Sequence, residues 1–211
     1  MGNYQKLVRE FQIISDQPVA DKPTILSPDE EDFRDTLLRE ELRELKEAII
    51  DEDRVEILDA LCDLKYVNDG TANQMGVELD DEKEEVTYSF IPHKIDRMVN
   101  NNIDLLSALK TSNVEAINTT IYALAYLLNF SLETFKEALE RVHRSNMTKF
   151  CVTNEEIDRT LELYKRAGVQ VATELKEKVT VIYRKKDRKV LKNVNYIPVH
   201  LKDLVDANDK D

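Results

Sequence analysis

Glycine and proline are scarce, four and five in 211 residues, which leaves few places to break a helix. Two cysteines, Cys62 and Cys151, match no zinc-ligand spacing and supply no disulfide framework, so a reducing, cytoplasmic setting is expected. No apolar run reaches the roughly 18–20 residues of a membrane span, and residues 1–12 lack the compact apolar stretch of a secretory signal. Positive charge is also short. Thirty Lys and Arg face forty-two Asp and Glu, a formal charge of −12, the wrong sign for a nucleic-acid backbone binder. The one dense basic stretch, Arg184-Lys185-Lys186 with Arg188 and Lys189, is brief. Neither a glycine-rich phosphate loop nor an EF-hand calcium loop occurs. A chain this acidic can bind a polyphosphate if divalent cations reverse the local field.

What is present is charge and helix former: 34% charged residues and 42% apolar ones, with Glu, Leu, Lys and Ala dominating long stretches. The patterns give a short amphipathic helix over 4–14, then a loop holding three prolines. Ser27-Pro28-Asp29-Glu30 starts a helix running to about residue 50. A turn at 51–53 leads to a second helix over about 54–75, ended by Gly76. Residues 77–90 read as acidic and irregular. Helices follow over about 93–110, 113–129 and 131–146, and another over about 154–175, capped by Thr153 or Asn154. The segments 179–184 and 189–192 read as the strands of a β-hairpin turning at 185–188. The expected fold is an all-α helical bundle with a four-helix-type core and a small C-terminal β-hairpin. Residues 1–175 form the helical domain, with 78–130 as an extra helical segment, and 176–211 form the hairpin and tail packed on it. Residues 42–73 echo 103–129, setting Glu56-x-x-Asp59 opposite Glu115-x-x-Asn118. That is either a pair of related helical hairpins or the general likeness of Leu/Ala-rich hairpins.

The informative region is 37–70. On the first long helix Leu38, Leu42, Leu45 and Ile49 make an apolar stripe, and Leu37, Glu41, Glu44 and Ala48 run beside it. On the second, Glu56, Asp59 and Asp63 occupy a narrow sector between two apolar arcs, one with Val55, Leu58, Cys62 and Tyr66, the other with Ile57, Ala60, Leu61, Leu64 and Val67. Gly70 continues that sector about two turns beyond. Buried like charges repel, and each costs several kcal/mol to desolvate unless neutralised. No Lys or Arg of either helix projects into that sector, so hard divalent cations with oxygen ligands are the natural counter-charge. A tight turn makes the helices antiparallel and brings Glu41 and Glu44 towards Glu56 and Asp59, enough carboxylates for one to three Mg²⁺ ions. The competing reading is a charge-rich helix pair with surface acids.

Glu41-x-x-Glu44, an eleven-residue gap, then Glu56-x-x-Asp59 resembles the signature of the all-α NTP pyrophosphohydrolases. That superfamily holds MazG-type enzymes, phosphoribosyl-ATP pyrophosphohydrolases and dimeric dUTPases. The similar pieces are VREF (8–11), QPVADKP (17–23), LLREELREL (37–45), ILDALCDLKYV (57–67) with GTA (70–72), VHRSNMTKF (142–150) and DRKVLKNVNYIP (187–198). They are closest to its MazG-like, phosphoribosyl-ATP pyrophosphohydrolase-like branch. The resemblance implies Mg²⁺, with Mn²⁺ as a substitute, held by Glu41, Glu44, Glu56 and Asp59. It implies water attack at the α-phosphorus of a nucleoside triphosphate with pyrophosphate leaving, Glu44 or the adjacent Glu40 taking the proton. Asp63, Arg144, Asn146, Lys149 and Lys189 are the implied substrate contacts, with Lys192 following the same C-terminal pattern. Against this stand simpler roles: helix C-terminal cations for Arg144 and Lys149, solvated hairpin lysines, and packing for His143, Tyr66 and Tyr126. The extra segment leaves a homodimer open, and Arg188 stands where relatives carry a turn glycine. Phosphoribosyl-ATP hydrolysis and a non-catalytic metal-binding helical module remain the alternatives.

Overall fold

The computed structural model describes residues 2–80 and 95–209. Helix α1 spans Asn3–Ile14, α2 Pro28–Ile50 and α3 Arg54–Met75. Then come α4 (Ile95–Ala108), α5 (Val114–Leu127), α6 (Leu132–Met147) and α7 (Asn154–Arg166). Strands β1 (Val171–Leu175) and β2 (Thr180–Arg184) pair antiparallel, and α8 (Lys202–Asn208) closes the fold. The architecture is an all-α bundle with one small C-terminal hairpin, as the residue patterns indicate.

Local chemistry sets the ends of the two helices that matter most. At the start of α2 the Ser27 hydroxyl accepts the Glu30 N–H, the Glu30 carboxylate accepts the Ser27 N–H, and Pro28 fills the first position. After Ile50 the chain turns through Glu52, whose φ is 56°. The Asp53 carboxylate then accepts the N–H groups of Val55 and Glu56 to open α3. So short a turn forces α2 and α3 side by side and antiparallel. The apolar stripe of α2 is buried at Leu38, Leu42 and Leu45. Helix α3 is the centre of the bundle, packed by α1, α2, α5, α6 and α8. It therefore buries residues around most of its circumference, including the polar Asn68, Asp69, Thr71 and Asn73.

Two polar networks lock the far end of α3. The Gly70 carbonyl accepts from Gln12 Nε2 (2.9 Å) and from an Arg34 NH2 group (3.2 Å), and Arg34 also donates to Gln74. Asn73 donates to the Gln5 carbonyl and to Gln12, and Gln5 in turn holds the backbone of 77–79. Deeper in the bundle Lys65 and Asp69, both fully buried, pair one helical turn apart at 2.6 Å. Segment 17–24 runs along this end, where Ala20 and Thr24 donate backbone N–H groups to the Asn73 and Met75 carbonyls.

The extra segment packs rather than protrudes: α5 lies on α3, and α4 lies on α5 and α2. Asn118, the counterpart of Asp59 in the internal echo, is buried, whereas Glu115 is exposed. Of the irregular stretch 77–90, only 77–80 falls among the described residues, as does the expected helix start at 93 only from Ile95 onward.

Two expectations at the C-terminal end are corrected. Helix α7 stops at Arg166, with Gly168 at φ 69°, instead of running to 175. Residues 171–175 instead form β1, so the principal partner of β2 lies before it in the chain. The expected 179–184/189–192 pairing survives as one isolated bridge, Tyr183 with Val190, flanked by two backbone hydrogen bonds. The β1 segment alternates Val171, Thr173 and Leu175 with Ala172 and Glu174 and follows a helical charge pattern directly, which hides its period-two character. The hairpin docks through Phe11, Phe150, Val181 and Tyr183, and the Tyr183 hydroxyl donates to the Ser15 carbonyl.

Gly76 ends α3 in the left-handed conformation, φ 65°, and a Cβ there would overlap the Lys22 carbonyl. Gly168 shares that conformation with nothing within 4 Å of its would-be Cβ. Gly168→Ala therefore costs about 1–2 kcal/mol from backbone strain alone. Gly76→Ala costs distinctly more, because segment 17–24 must also move. Urea unfolding of the two variants checks the order, and equal losses would contradict it.

Candidate metal and polyphosphate site

The antiparallel α2–α3 pair puts carboxylates from both helices into one electrostatic neighbourhood. Glu41 is half-buried, and its pKa rises to about 7, first through burial, then through the charge of Glu44, with Lys189 opposing and Glu40 and Asp59 adding. Asp59, also half-buried, rises to about 6 through burial and then Glu56 and Glu44, while Lys192 and Lys149 oppose. Asp63 keeps some exposed surface as a residue, yet its carboxylate is enclosed on nearly all sides. Burial, Asp59 and Glu41 push it well above the usual carboxylate range. Glu40, Glu44 and Glu56 are exposed at the rim. The structure thus brings Glu41, Glu44, Asp59 and Asp63 within one another's field, with Glu56 acting on Asp59 and Glu40 on Glu41.

Opposite the acids stand lysines from two distant segments. Helix α6 ends at Met147, and Lys149 follows its cap. Burial pulls the Lys149 ammonium down, Asp63 holds it up, and Lys192, Lys189 and Glu41 act on it more weakly. The charge of Lys189 acts on Glu41 and that of Lys192 on Asp59. Among the described residues, none of these three lysines is joined to a carboxylate by an ion pair.

Other expected site residues are placed differently. Arg144 is exposed and bonded to Glu137 and Glu140 of its own helix. Asn146 lies near enough to the Tyr66 hydroxyl to favour its ionised form, while that hydroxyl meets His143 Nδ1 at 3.4 Å. Tyr66 stacks on His143 and meets Phe11 and Tyr4 edge-on, so it belongs to the core. His143 is buried, its imidazole pushed down by burial and held up by Glu10. The residue patterns did not point to Arg34. It lies seven residues before Glu41 on the same line of α2, a spacing that could have flagged it. Burial lowers its pKa to about 10.

Among the described residues, no three His, Cys, Asp or Glu side chains form a preassembled metal cage. The donor chemistry nonetheless suits a hard divalent cation. Every candidate ligand is a carboxylate oxygen, and the cluster carries more negative charge than the facing lysines offset.

Residues 8–90, from within α1 past the end of α3, match the sequence profile of the phosphoribosyl-ATP pyrophosphohydrolase family. The match covers less than half of the chain and is consistent with its ExxE…ExxD resemblance to the MazG-like all-α NTP pyrophosphohydrolases. An uncharacterized protein of Acanthamoeba polyphaga mimivirus is similar along most of the chain, 29% identical over 206 residues and covering 81% of both proteins. No solved structure matches the chain.

The raised carboxylates predict an inverted pH dependence for the metal-free protein. Glu41 and Asp59 start from ordinary values of 4.5 and 3.8 and reach about 7 and about 6 when folded. The folded state therefore binds their protons more tightly than the unfolded chain does. Their contribution is most favourable below about pH 4 and is lost as pH rises to about 7. In chelator-treated protein, Glu41→Gln flattens this loss between pH 5 and 7.5, read by urea unfolding. Identical pH profiles for variant and wild type would refute the burial of Glu41.

Proposed function

We propose that the protein is a Mg²⁺-dependent nucleoside triphosphate pyrophosphohydrolase, converting a (d)NTP and water to the monophosphate and pyrophosphate. The single observation that supports this most is the meeting of two kinds of charge: partly buried carboxylates of α2 and α3 within the field of Lys149, Lys189 and Lys192, which have no ion-pair partner among the described residues. Carboxylates alone would suit a bare metal site, and lysines alone an anion site. Together they suit a metal–polyphosphate complex.

In this reading Glu41, Glu44, Glu56 and Asp59 hold the cation, Mg²⁺ or Mn²⁺. When bound, it supplies positive charge against the charge developing on the phosphoryl oxygens. Glu44 lies within the field of Glu41, Asp59 and Asp63 and stays exposed, so it is the group to accept the proton of the attacking water. Glu40 stands one position further out. Asp63 carries the acid wall inward to the foot of Lys149. Lys149 and Lys189 bind phosphate oxygens, and Arg144 serves only as a charge at the rim. Two buried free thiols fit a cytoplasmic protein.

The profile over residues 8–90 favours a second reading, phosphoribosyl-ATP as the substrate. Both readings release pyrophosphate, so the substrate panel must contain phosphoribosyl-ATP beside the eight common NTPs and dNTPs. The expected result is Mg²⁺-dependent release of pyrophosphate, not phosphate, from at least one nucleotide. Glu41→Gln and Asp59→Asn then lower kcat/KM by roughly 10²-fold or more, the scale of losing one charge-stabilising group, with far-UV circular dichroism unchanged. Full activity in either variant, or no pyrophosphate from any nucleotide, would remove the proposal and favour a non-catalytic metal-binding module.

A further inference from the structure

The chain from 189 to 197 has almost no regular structure, yet hydrogen bonds hold it at nearly every step. Lys189 is fixed through its backbone, its carbonyl accepting from Arg184 N–H at 2.9 Å, and Leu191 N–H donates to the Ile182 carbonyl at 2.9 Å. The Lys192 carbonyl accepts from the Tyr164 hydroxyl at 2.8 Å, and the Val194 N–H donates to the Thr160 hydroxyl at 3.1 Å. The Ile197 N–H donates to the Thr148 hydroxyl, and Ser145 holds Tyr196 and the Ile197 carbonyl.

At the middle of this segment sits Asn193, only 7% exposed. Its amide donates to the carbonyls of Thr148 (2.9 Å) and Phe150 (2.7 Å), the residues on either side of Lys149. One buried side chain thus fastens the backbone beside Lys192 to the backbone beside Lys149. The Lys192 ammonium rests over the Tyr196 ring, 4.4 Å from its centre, a contact that orients the cation without neutralising it. Holding two like-charged groups on one wall is unfavourable by itself. Two hydrogen bonds to buried carbonyls are the means by which the fold imposes it.

We propose that Asn193 is the positioning residue that keeps Lys192, the further cation of the C-terminal pattern, in register with Lys149 so that both reach the polyphosphate chain. This inference rests on the pyrophosphohydrolase reading above and deepens it by making the C-terminal segment part of the substrate site. Asn193 touches no substrate; it acts through the two lysines.

The test is calorimetric titration of the full-length protein with inorganic pyrophosphate in the presence of Mg²⁺. It is paired with KM and kcat for whichever nucleotide the wild type cleaves. Lys192→Gln raises the pyrophosphate Kd about tenfold, the scale of one charge-assisted hydrogen bond, and raises KM with little change in kcat. The exposed hairpin lysine variant Lys186→Gln leaves both unchanged. Asn193→Ala raises Kd several-fold, and the double variant falls short of the product of the two single effects, the mark of residues acting as one unit. Should Asn193→Ala fail to fold, Asn193→Ser takes its place. Wild-type affinity in Lys192→Gln would overturn the contact. Multiplicative effects in the double variant would reduce Asn193 to a structural residue. A wild type that cleaves nucleotides while Lys192→Gln is unaltered sinks this inference alone. A wild type that neither cleaves any nucleotide nor binds pyrophosphate sinks the functional reading and this inference with it.

Discussion

The constraint on which the site depends is the placement of acids on the central helix of a bundle. Helix α3 is packed by five other helices, α2 most closely, so most side chains leaving it meet protein, those on the seam with α2 included. Asp59 and Asp63 stand on that seam, and Glu41 faces them from α2. Each is shielded from water, each is pushed towards its neutral form by that shielding first and by its neighbours second. An arrangement that opposes its own ionisation at neutral pH adds nothing to stability, which is the physical ground for reading it as functional.

The same helix shows what a structural charge looks like. Lys65 and Asp69 are fully buried and paired at 2.6 Å, and Arg34 of the neighbouring α2 spends its donors on Gln74 and the Gly70 carbonyl of α3. Those groups are satisfied within the fold. Two turns away, the carboxylates of Asp59 and Asp63 feel lysines that stop short of pairing with them. Satisfied charges and unsatisfied ones therefore lie on one helix, divided near Tyr66. The C-terminal segment, pinned by Asn193, brings the second wall of cations to the unsatisfied end.

Much of this was legible in the sequence. The Ser27-Pro28 start, the 51–53 turn and Gly76 bracketed α2 and α3 closely, because capping and left-handed termination are local chemistry. The acidic sector of Glu56, Asp59 and Asp63 between two apolar arcs followed from helical geometry, and the structure encloses Asp59 and Asp63 as that geometry implies. What was not legible depends on contacts distant in the chain. Strand β1 hid behind the charge pattern of α7. Arg144 looked like a phosphate contact from its neighbours in sequence, yet Glu137 and Glu140 lie within its reach on the same face of α6. Lys192 followed the family's C-terminal pattern yet read equally as an edge-strand lysine, because nothing local reveals that Asn193 beside it is tied to residues more than forty positions earlier.

The central claim is that the acids of the α2–α3 seam are a divalent-cation site. Direct counting of bound Mn²⁺ by electron paramagnetic resonance, with no nucleotide present, tests it without reference to turnover. The account predicts saturable Mn²⁺ binding in the wild type and in Glu115→Gln, whose acid lies on α5, with loss of that binding in the Glu41→Gln/Asp59→Asn double variant. Equal Mn²⁺ binding by the double variant and the wild type would contradict it.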